Sequence, residues 1–320
     1  MRKLSNTGLS LFILVLIICI VILNYFFTNY SKNFSVLSPL PGFLTLFENQ
    51  EVATINLWLP LIKNTQKVTI PNITAKSALV FDLSSNKTVY SKDPNIRLPM
   101  ASLTKIMTAV IALENKKKDD QYNVTQDDLV GEDSMGLGAG EKLSLNELLY
   151  GLILSSGNDA AETFATNFTN GRTAFIKAMN DKARSLGLSD TNFTNPTGLE
   201  GDGNQYTTAY DLLVITKYAL SQFSTFDDVV STFDYNIYQT NEHKAYYLEN
   251  QTNLLSSYPG VKGVKTGYTP EAGLCLVTYL DYRGHKIIAV LLGSDNRRGE
   301  MKELLDYALK SQGVKPPSHT

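Results

Sequence analysis

A long apolar segment without a charged side chain, residues 9–27, limits the possible folds more than any other part of the chain. Crossing the hydrocarbon core of a bilayer takes about 20 mostly apolar residues in a helix. A cleaved signal peptide would end in small residues, whereas this segment ends in Asn-Tyr-Phe-Phe. The sequence therefore predicts an uncleaved transmembrane anchor. Arg2 and Lys3 precede it, which predicts a cytoplasmic N-terminus and places the following residues outside.

The composition argues against several classes of protein. The formal net charge is -2 and no long basic run is present, so we expect no nucleic-acid partner. The three histidines, His243, His285 and His319, have no metal-ligand spacing, and we predict neither a metal nor a cofactor. Cys19 lies in the apolar segment and Cys275 in a strand-like one, so we do not expect a disulfide between them.

Regular patterns begin near residue 77, after a lead-in interrupted by prolines. Short β-rich runs flank the turn Ser84-Ser85-Asn86, and longer apolar runs of helix-forming residues follow. The predicted strands are residues 78–81, 88–90, 273–280 and 286–292; the predicted helices are residues 100–114, 145–154, 175–186, 211–220 and 300–309. Because strands lie at both ends with helices between them, we predict a mixed α/β domain. Its sheet would join the first and last elements around a helical subdomain.

A serine and a lysine three residues apart, Ser102 and Lys105, lie near the start of the first predicted helix. This spacing puts both side chains on one helical face. A serine needs an adjacent base to act as a nucleophile, and a lysine serves if its pKa is lowered. The same spacing occurs at Ser84 and Lys87, but in a predicted turn. Lys105 lies among apolar residues, and a buried lysine requires a specific reason.

Two further tripeptides carry polar groups at the ends of apolar elements. Ser156-Gly157-Asn158 follows a predicted helix and would present a hydroxyl and an amide. Lys265-Thr266-Gly267 lies in a strand-like segment and offers a cation, a hydroxyl and a residue without a side chain. Ser294-Asp295-Asn296 also has the form of the first tripeptide, but it follows the last predicted strand. Chain order favours the earlier tripeptide.

Together these motifs resemble those of the low-molecular-weight penicillin-binding proteins, the D-alanyl-D-alanine carboxypeptidases. Six further segments are also similar to family blocks: residues 99–108, 140–142, 148–152, 195–199, 207–211 and 263–273. The resemblance implies a β-lactamase/transpeptidase-like α/β fold, with an antiparallel sheet flanked by helices plus a helical subdomain. It also implies two ligands, a peptidoglycan stem peptide ending in D-Ala-D-Ala and β-lactam antibiotics.

The resemblance further implies roles for individual residues. The catalytic set is Ser102 as the acylated nucleophile, Lys105 as its base and Ser156 as a proton relay. The substrate-binding set comprises an amide, the three residues of the second tripeptide and the residue after them: Asn158, Lys265, Thr266, Gly267 and Tyr268. The oxyanion would be held by the backbone N–H groups of Ser102 and Tyr268.

Two alternatives share this motif set. A class A β-lactamase needs a glutamate after the second motif, and residues 165–215 contain only Glu200 as a glutamate. A non-catalytic penicillin-binding sensor or scaffold would keep the fold and lose a catalytic group. The predicted organisation is a cytoplasmic N-terminus (1–8), an anchor (9–27), a linker or lead-in (28–74), an extracytoplasmic catalytic domain (75–312) and a tail (313–320). We thus expect a single-pass cell-membrane protein.

Overall fold

The computed structural model describes residues 68–252 and 254–319. The predicted anchor, the predicted cytoplasmic N-terminus, Cys19 and most of the predicted lead-in lie outside these ranges. Among the described residues, no helix combines the length and the apolarity needed to cross a membrane. Cys275 is a buried free thiol.

The strands, numbered in chain order, are β1 (Ser77–Asp82), β2 (Lys87–Lys92), β3 (Tyr122–Asn123), β4 (Lys142–Leu143), β5 (Asp234–Ile237), β6 (Tyr246–Glu249), β7 (Val261–Thr269), β8 (Gly273–Tyr282) and β9 (His285–Ser294). Five of them form an antiparallel sheet in the order β2-β1-β9-β8-β7. The first and last strands of the domain therefore share one sheet, as predicted. β3 pairs with β4, and β5 pairs with β6.

The helices are α1 (Lys105–Glu114), α2 (Leu145–Ile153), α3 (Asn158–Thr166), α4 (Gly171–Ser185), α5 (Ala209–Gln222), α6 (Ser224–Ser231), α7 (Leu254–Ser257) and α8 (Arg297–Ser311). α8 packs on one face of the central sheet, where Val80, Ala289 and Leu291 join its apolar side. α5 contacts β1 and β9 as well. Helices thus cover the sheet, which accounts for the near-continuous apolar runs in β8 and β9.

The sequence-based assignment differs from the structure in several elements. The helix predicted over residues 100–114 is divided into a 3-10 turn, Ala101–Thr104, and α1. The polar turn predicted at Ser156-Gly157-Asn158 leads directly into α3, which was not predicted. α6, α7, the β3–β4 pair and the β5–β6 hairpin were also not predicted. Each of these elements is short, with nine residues in α3 and eight in α6, so few apolar positions are available to define a period.

The tripeptide Ser294-Asp295-Asn296 has a structural role. Asn296 is the N-cap of α8, and its Oδ1 accepts a hydrogen bond from the N–H of Gly299 at 3.1 Å. Ser294 Oγ donates to the carboxylate of Glu300 at 2.6 Å. The bond from Gly299 satisfies a donor that a helix start leaves without an intrahelical partner, and the bond to Glu300 joins the end of β9 to the first turn of α8. Choosing the earlier tripeptide on chain order is consistent with this placement.

Candidate active site

Ser102 lies in the 3-10 turn that precedes α1, and Lys105 is the first residue of that helix. The spacing of three residues brings the two side chains together, as predicted from the sequence. Lys105 Nζ lies 2.9 Å from Ser102 Oγ. Ser102 is half-buried, so its hydroxyl remains accessible to a ligand while it contacts the amine.

Lys105 is fully buried, and its amine is surrounded by oxygen acceptors. Besides Ser102 it donates to Asn158 Oδ1 at 2.7 Å and to the carbonyl oxygen of Thr197 at 2.7 Å. Burial lowers the pKa of Lys105 well below its usual value, and the positive charge of Lys265 lowers it further. An amine that loses its proton easily, next to a serine hydroxyl, has the properties required of a general base.

Ser156 lies in the connection between α2 and α3 and has a left-handed backbone conformation, with φ of 58°. Its Oγ is buried and has no hydrogen-bond partner among the described residues. A buried hydroxyl without a hydrogen-bond partner is unfavourable unless a ligand or a water molecule forms a hydrogen bond with it. Left-handed conformations outside glycine also occur preferentially at functional sites.

The middle position of the Ser156 tripeptide requires glycine. A Cβ on Gly157 would lie 2.8 Å from Asp159 Oδ1 and 3.2 Å from the carbonyl oxygen of Gly151. Asp159 is held in place because it accepts hydrogen bonds from the backbone N–H groups of Met135, at 3.0 Å, and of the next two residues. A larger residue at position 157 would therefore disturb the loop that borders the site.

Lys265 and Thr266 lie on β7, the edge strand of the central sheet. Lys265 is buried, and desolvation lowers its pKa to about 7. The nearby cation Arg297 lowers this pKa as well, whereas the carboxylate of Asp133 opposes the shift. At neutral pH, Lys265 is therefore partly protonated and close to the point where it gains or loses its charge.

Gly267 allows β7 to approach the turn that carries Ser102. A Cβ at this position would lie 3.1 Å from the Ser102 nitrogen and 3.1 Å from the carbonyl oxygen of Met100. Arg297, the first residue of α8, donates through Nη1 to the carbonyl oxygen of Gly267 at 2.8 Å. This hydrogen bond holds β7 in place at Gly267. Tyr268, the next residue, is 62% exposed.

Several residues of the site were not identified as functional from the sequence. Thr197, whose carbonyl oxygen contacts Lys105, lies in residues 195–199, a segment noted only as similar to the family. Arg297 begins α8 and belongs to no sequence motif. Asp133 accepts a hydrogen bond through its carbonyl oxygen from the N–H of Asn158 at 2.8 Å, and its exposed carboxylate acts electrostatically on Lys105 and Lys265.

Glu200 is the glutamate that a class A β-lactamase would have to use. It accepts a hydrogen bond from the N–H of Glu271 at 3.0 Å.

Comparison with known proteins identifies the family of this chain. The family model described as D-alanyl-D-alanine carboxypeptidase matches residues 64–296. This chain belongs to that family. It is 34% identical over 251 residues to D-alanyl-D-alanine carboxypeptidase DacF of Bacillus subtilis, covering 76% of this chain and 64% of the relative. It therefore spans less than two thirds of that relative's length.

Two further matches come from Streptomyces strain K15. The D-alanyl-D-alanine carboxypeptidase of that strain is 35% identical over 260 residues, which cover 75% of this chain and 89% of the relative. The crystal structure of the Streptomyces K15 DD-transpeptidase superposes with a TM-score of 0.71 at 33% identity. The superposition covers 76% of the present chain and all of the Streptomyces chain. The family resemblance and the fold class inferred from the sequence are thus confirmed.

Proposed function

We propose that this protein is a serine D-alanyl-D-alanine carboxypeptidase, which removes the terminal D-Ala from peptidoglycan stem peptides. The observation that carries this proposal is the 2.9 Å contact between the buried Lys105 amine and Ser102 Oγ, within a chain of this family. Desolvation keeps a fraction of Lys105 neutral, so the amine is able to accept the serine proton.

In the acylation step, Lys105 takes the Ser102 proton and the serine oxygen attacks the penultimate D-Ala carbonyl. The carbonyl carbon becomes tetrahedral, and its oxyanion is held by the N–H groups of Ser102 and Tyr268. The bond to the terminal D-Ala nitrogen then breaks. Protonated Lys105 gives its proton to Ser156, and the Ser156 hydroxyl proton passes to that nitrogen, which leaves as the amine of free D-Ala. An acyl ester remains on Ser102, and Lys105 is neutral again.

Substrate orientation is assigned to the remaining residues. Asn158 holds Lys105 at 2.7 Å through Oδ1. Its Nδ2 donates to the carbonyl oxygen of Gly131 at 3.4 Å, which leaves its second N–H for a peptide carbonyl. Thr266 and the charge of Lys265 bind the terminal carboxylate, with Gly267 leaving room for the peptide backbone along β7. Arg297, bonded to the Gly267 carbonyl, adds positive charge to the same end of the site.

Deacylation completes the cycle. Water attacks the acyl carbonyl after the free D-Ala has left. Neutral Lys105 takes a proton from this water and gives it to the Ser102 oxygen as the ester bond breaks. A β-lactam acylates Ser102 in the same way, but its leaving group stays covalently attached and obstructs the water. We therefore expect peptides to turn over and penicillin to remain bound.

The predicted organisation supports the same function. We propose that residues 75–312 form the catalytic domain outside the cytoplasmic membrane, where peptidoglycan is found, and that residues 9–27 anchor it there. Protease added to intact spheroplasts should then digest the domain. A protected domain, or a mature N-terminus beyond residue 27, would reject this topology.

Mass spectrometry tests the chemistry directly. Incubation with a D-Ala-D-Ala peptide should release free D-Ala, and incubation with penicillin should add one covalent adduct at Ser102. Ser102→Ala should do neither, and Ser84→Ala serves as the matched control because Ser84 has the same sequence spacing to a lysine but lies in a turn. An adduct that persists in Ser102→Ala would refute the assignment. Rapid release of hydrolysed penicillin would favour the β-lactamase alternative.

A further inference from the structure

The hairpin formed by β5 and β6 has one packed face and one exposed face. Tyr235 stacks on Tyr150 of α2, with ring centroids 3.6 Å apart and planes inclined by 6°. Ile237, Tyr246 and Leu248 are buried on the same side. Side chains alternate along a strand, so the residues between these point the other way.

The exposed face consists of two cross-strand pairs, Asp234 with Glu249 and Asn236 with Tyr247. We call these four residues the hairpin platform. Tyr247 is 68% exposed, and Tyr238, directly after β5, is 80% exposed. Asp234 and Glu249 place like charges opposite each other, which is unfavourable for the hairpin itself. An arrangement that is unfavourable for folding is expected mainly at functional surfaces.

The platform is rigid because both ends of the hairpin are fixed. At the tip, Glu141 accepts hydrogen bonds from the Lys244 N–H, at 3.0 Å, and from the Tyr246 hydroxyl. At the base, the Asn250 N–H donates to the Phe233 carbonyl oxygen at 2.7 Å. A preorganised aromatic surface loses little conformational entropy when a ligand binds.

The platform is also close to the proposed catalytic site. Gln251 donates through its N–H to the Leu154 carbonyl oxygen at 3.2 Å and through Nε2 to the Ser155 carbonyl oxygen at 3.2 Å. Tyr247 precedes Gln251 by four residues, an extended span of at most about 14 Å. A stem peptide has about four residues between the scissile bond and its sugar, which also span about 14 Å when extended.

We propose that the hairpin platform binds the glycan to which the stem peptide is attached. This inference rests on the proposed function, since it extends the same substrate from its peptide to its sugars. Tyr247 offers a flat ring for the apolar face of a sugar. Asn236 and the two carboxylates offer hydrogen-bond acceptors and donors for the hydroxyl and acetamido groups beside that ring.

The test compares two substrates on the full-length chain: a free D-Ala-D-Ala pentapeptide, and the same pentapeptide linked to its disaccharide. The wild-type protein should have a lower KM for the disaccharide-linked pentapeptide than for the free pentapeptide. Tyr247→Ala should raise that KM about three- to tenfold, the loss expected for one aromatic contact, and leave kcat/KM for the free peptide unchanged. Tyr247→Phe keeps the ring and should retain the wild-type KM. Ile70→Ala changes another exposed apolar side chain outside the hairpin and should have no effect.

A second measurement is independent of catalysis. Calorimetry with a β-1,4-linked N-acetylglucosamine tetramer should detect binding to wild type and about three- to tenfold weaker binding to Tyr247→Ala. Equal affinities, no saturable binding, or equal KM values for both substrates in every variant would overturn the platform proposal. Absence of peptide turnover and of penicillin labelling would instead refute the proposed function, and calorimetry would still decide whether the platform binds glycan.

Discussion

Lys105 and Glu300 are both buried charged groups, but their surroundings differ. The surroundings of Lys105 favour chemical reactivity, whereas those of Glu300 favour folding stability. Lys105 donates to three neutral oxygens, but the buried cation Lys265 is nearby, and desolvation dominates. Glu300 accepts from the Thr74 N–H at 2.5 Å, the Thr74 hydroxyl at 2.6 Å, the Ala75 N–H at 3.3 Å and Ser294 Oγ. Burial alone would raise the pKa of Glu300, but these hydrogen bonds together lower it.

The buried lysines and Glu300 have opposite effects on the free energy of unfolding. Of the two lysines, Lys265 illustrates the effect: its folded pKa is about 7, against a usual value of 10.5. Between these values the unfolded chain binds the proton that the folded chain does not, so stability falls as pH falls through this window. Glu300 has a lowered pKa, so it contributes stability above its unfolded pKa and loses it as pH falls through the folded pKa. At neutral pH the lysines thus cost stability and Glu300 contributes it.

The largest expected effect is that of Lys105→Arg. Arginine keeps the positive charge but does not release its proton, so the base is lost. We expect penicillin acylation to slow by about 100- to 10,000-fold, the range for removing a general base. Lys87→Arg is the matched control, because Lys87 is exposed in β2. Near wild-type acylation by Lys105→Arg would mean that Lys105 is structural, like Glu300.

A smaller effect is expected for Lys265→Ala, measured with a free and a C-terminally amidated D-Ala-D-Ala peptide. Wild type should prefer the free carboxylate by roughly tenfold to a hundredfold, since a charge-assisted hydrogen bond is worth about 1.5–3 kcal/mol. Lys265→Ala should lose most of this preference. If the variant still discriminates as wild type does, carboxylate recognition does not depend on Lys265.

The pH dependence of kcat/KM distinguishes the two lysines. Activity should fall at low pH as Lys105 becomes protonated, and at high pH as Lys265, with its pKa of about 7, loses its charge. Each limb should change activity about tenfold per pH unit. In Lys265→Ala the alkaline limb should disappear. The acid limb should move to higher pH, because the charge that lowers the Lys105 pKa is gone. A profile that the variant leaves unchanged would contradict electrostatic coupling between the lysines.

The parts of the site that the sequence predicts are those fixed by local spacing. Ser102 and Lys105 are one turn apart, so their contact follows from helix geometry. The sheet follows from apolar strands at both ends of the domain. The Thr197 carbonyl and Arg297 come from distant segments, and their contacts depend on how the loops return to the site. The conformation of Ser156 depends on tertiary packing as well, because its φ of 58° is not a local preference of serine.

The smallest expected effect concerns Glu300, the structural member of the comparison. Glu300→Gln keeps the size of the side chain but replaces the carboxylate, which four donors surround, with a neutral amide. We expect unfolding to be easier by about 1.5–3 kcal/mol at pH 7, the usual value of hydrogen bonds to a charged group. The Ser102 acylation rate of the folded protein should not change.

Thermal unfolding of Glu300→Gln and wild type between pH 7 and pH 3 provides the measurement. The difference in stability should shrink as pH falls through the lowered pKa of Glu300, because the wild-type carboxylate then becomes neutral too. Glu303→Gln, an exposed glutamate on the same helix, should match wild type throughout. If Glu300→Gln were equally stable at pH 7 but slowed acylation, the carboxylate would act on the site rather than on the fold, and the two buried charges would no longer be distinct in role.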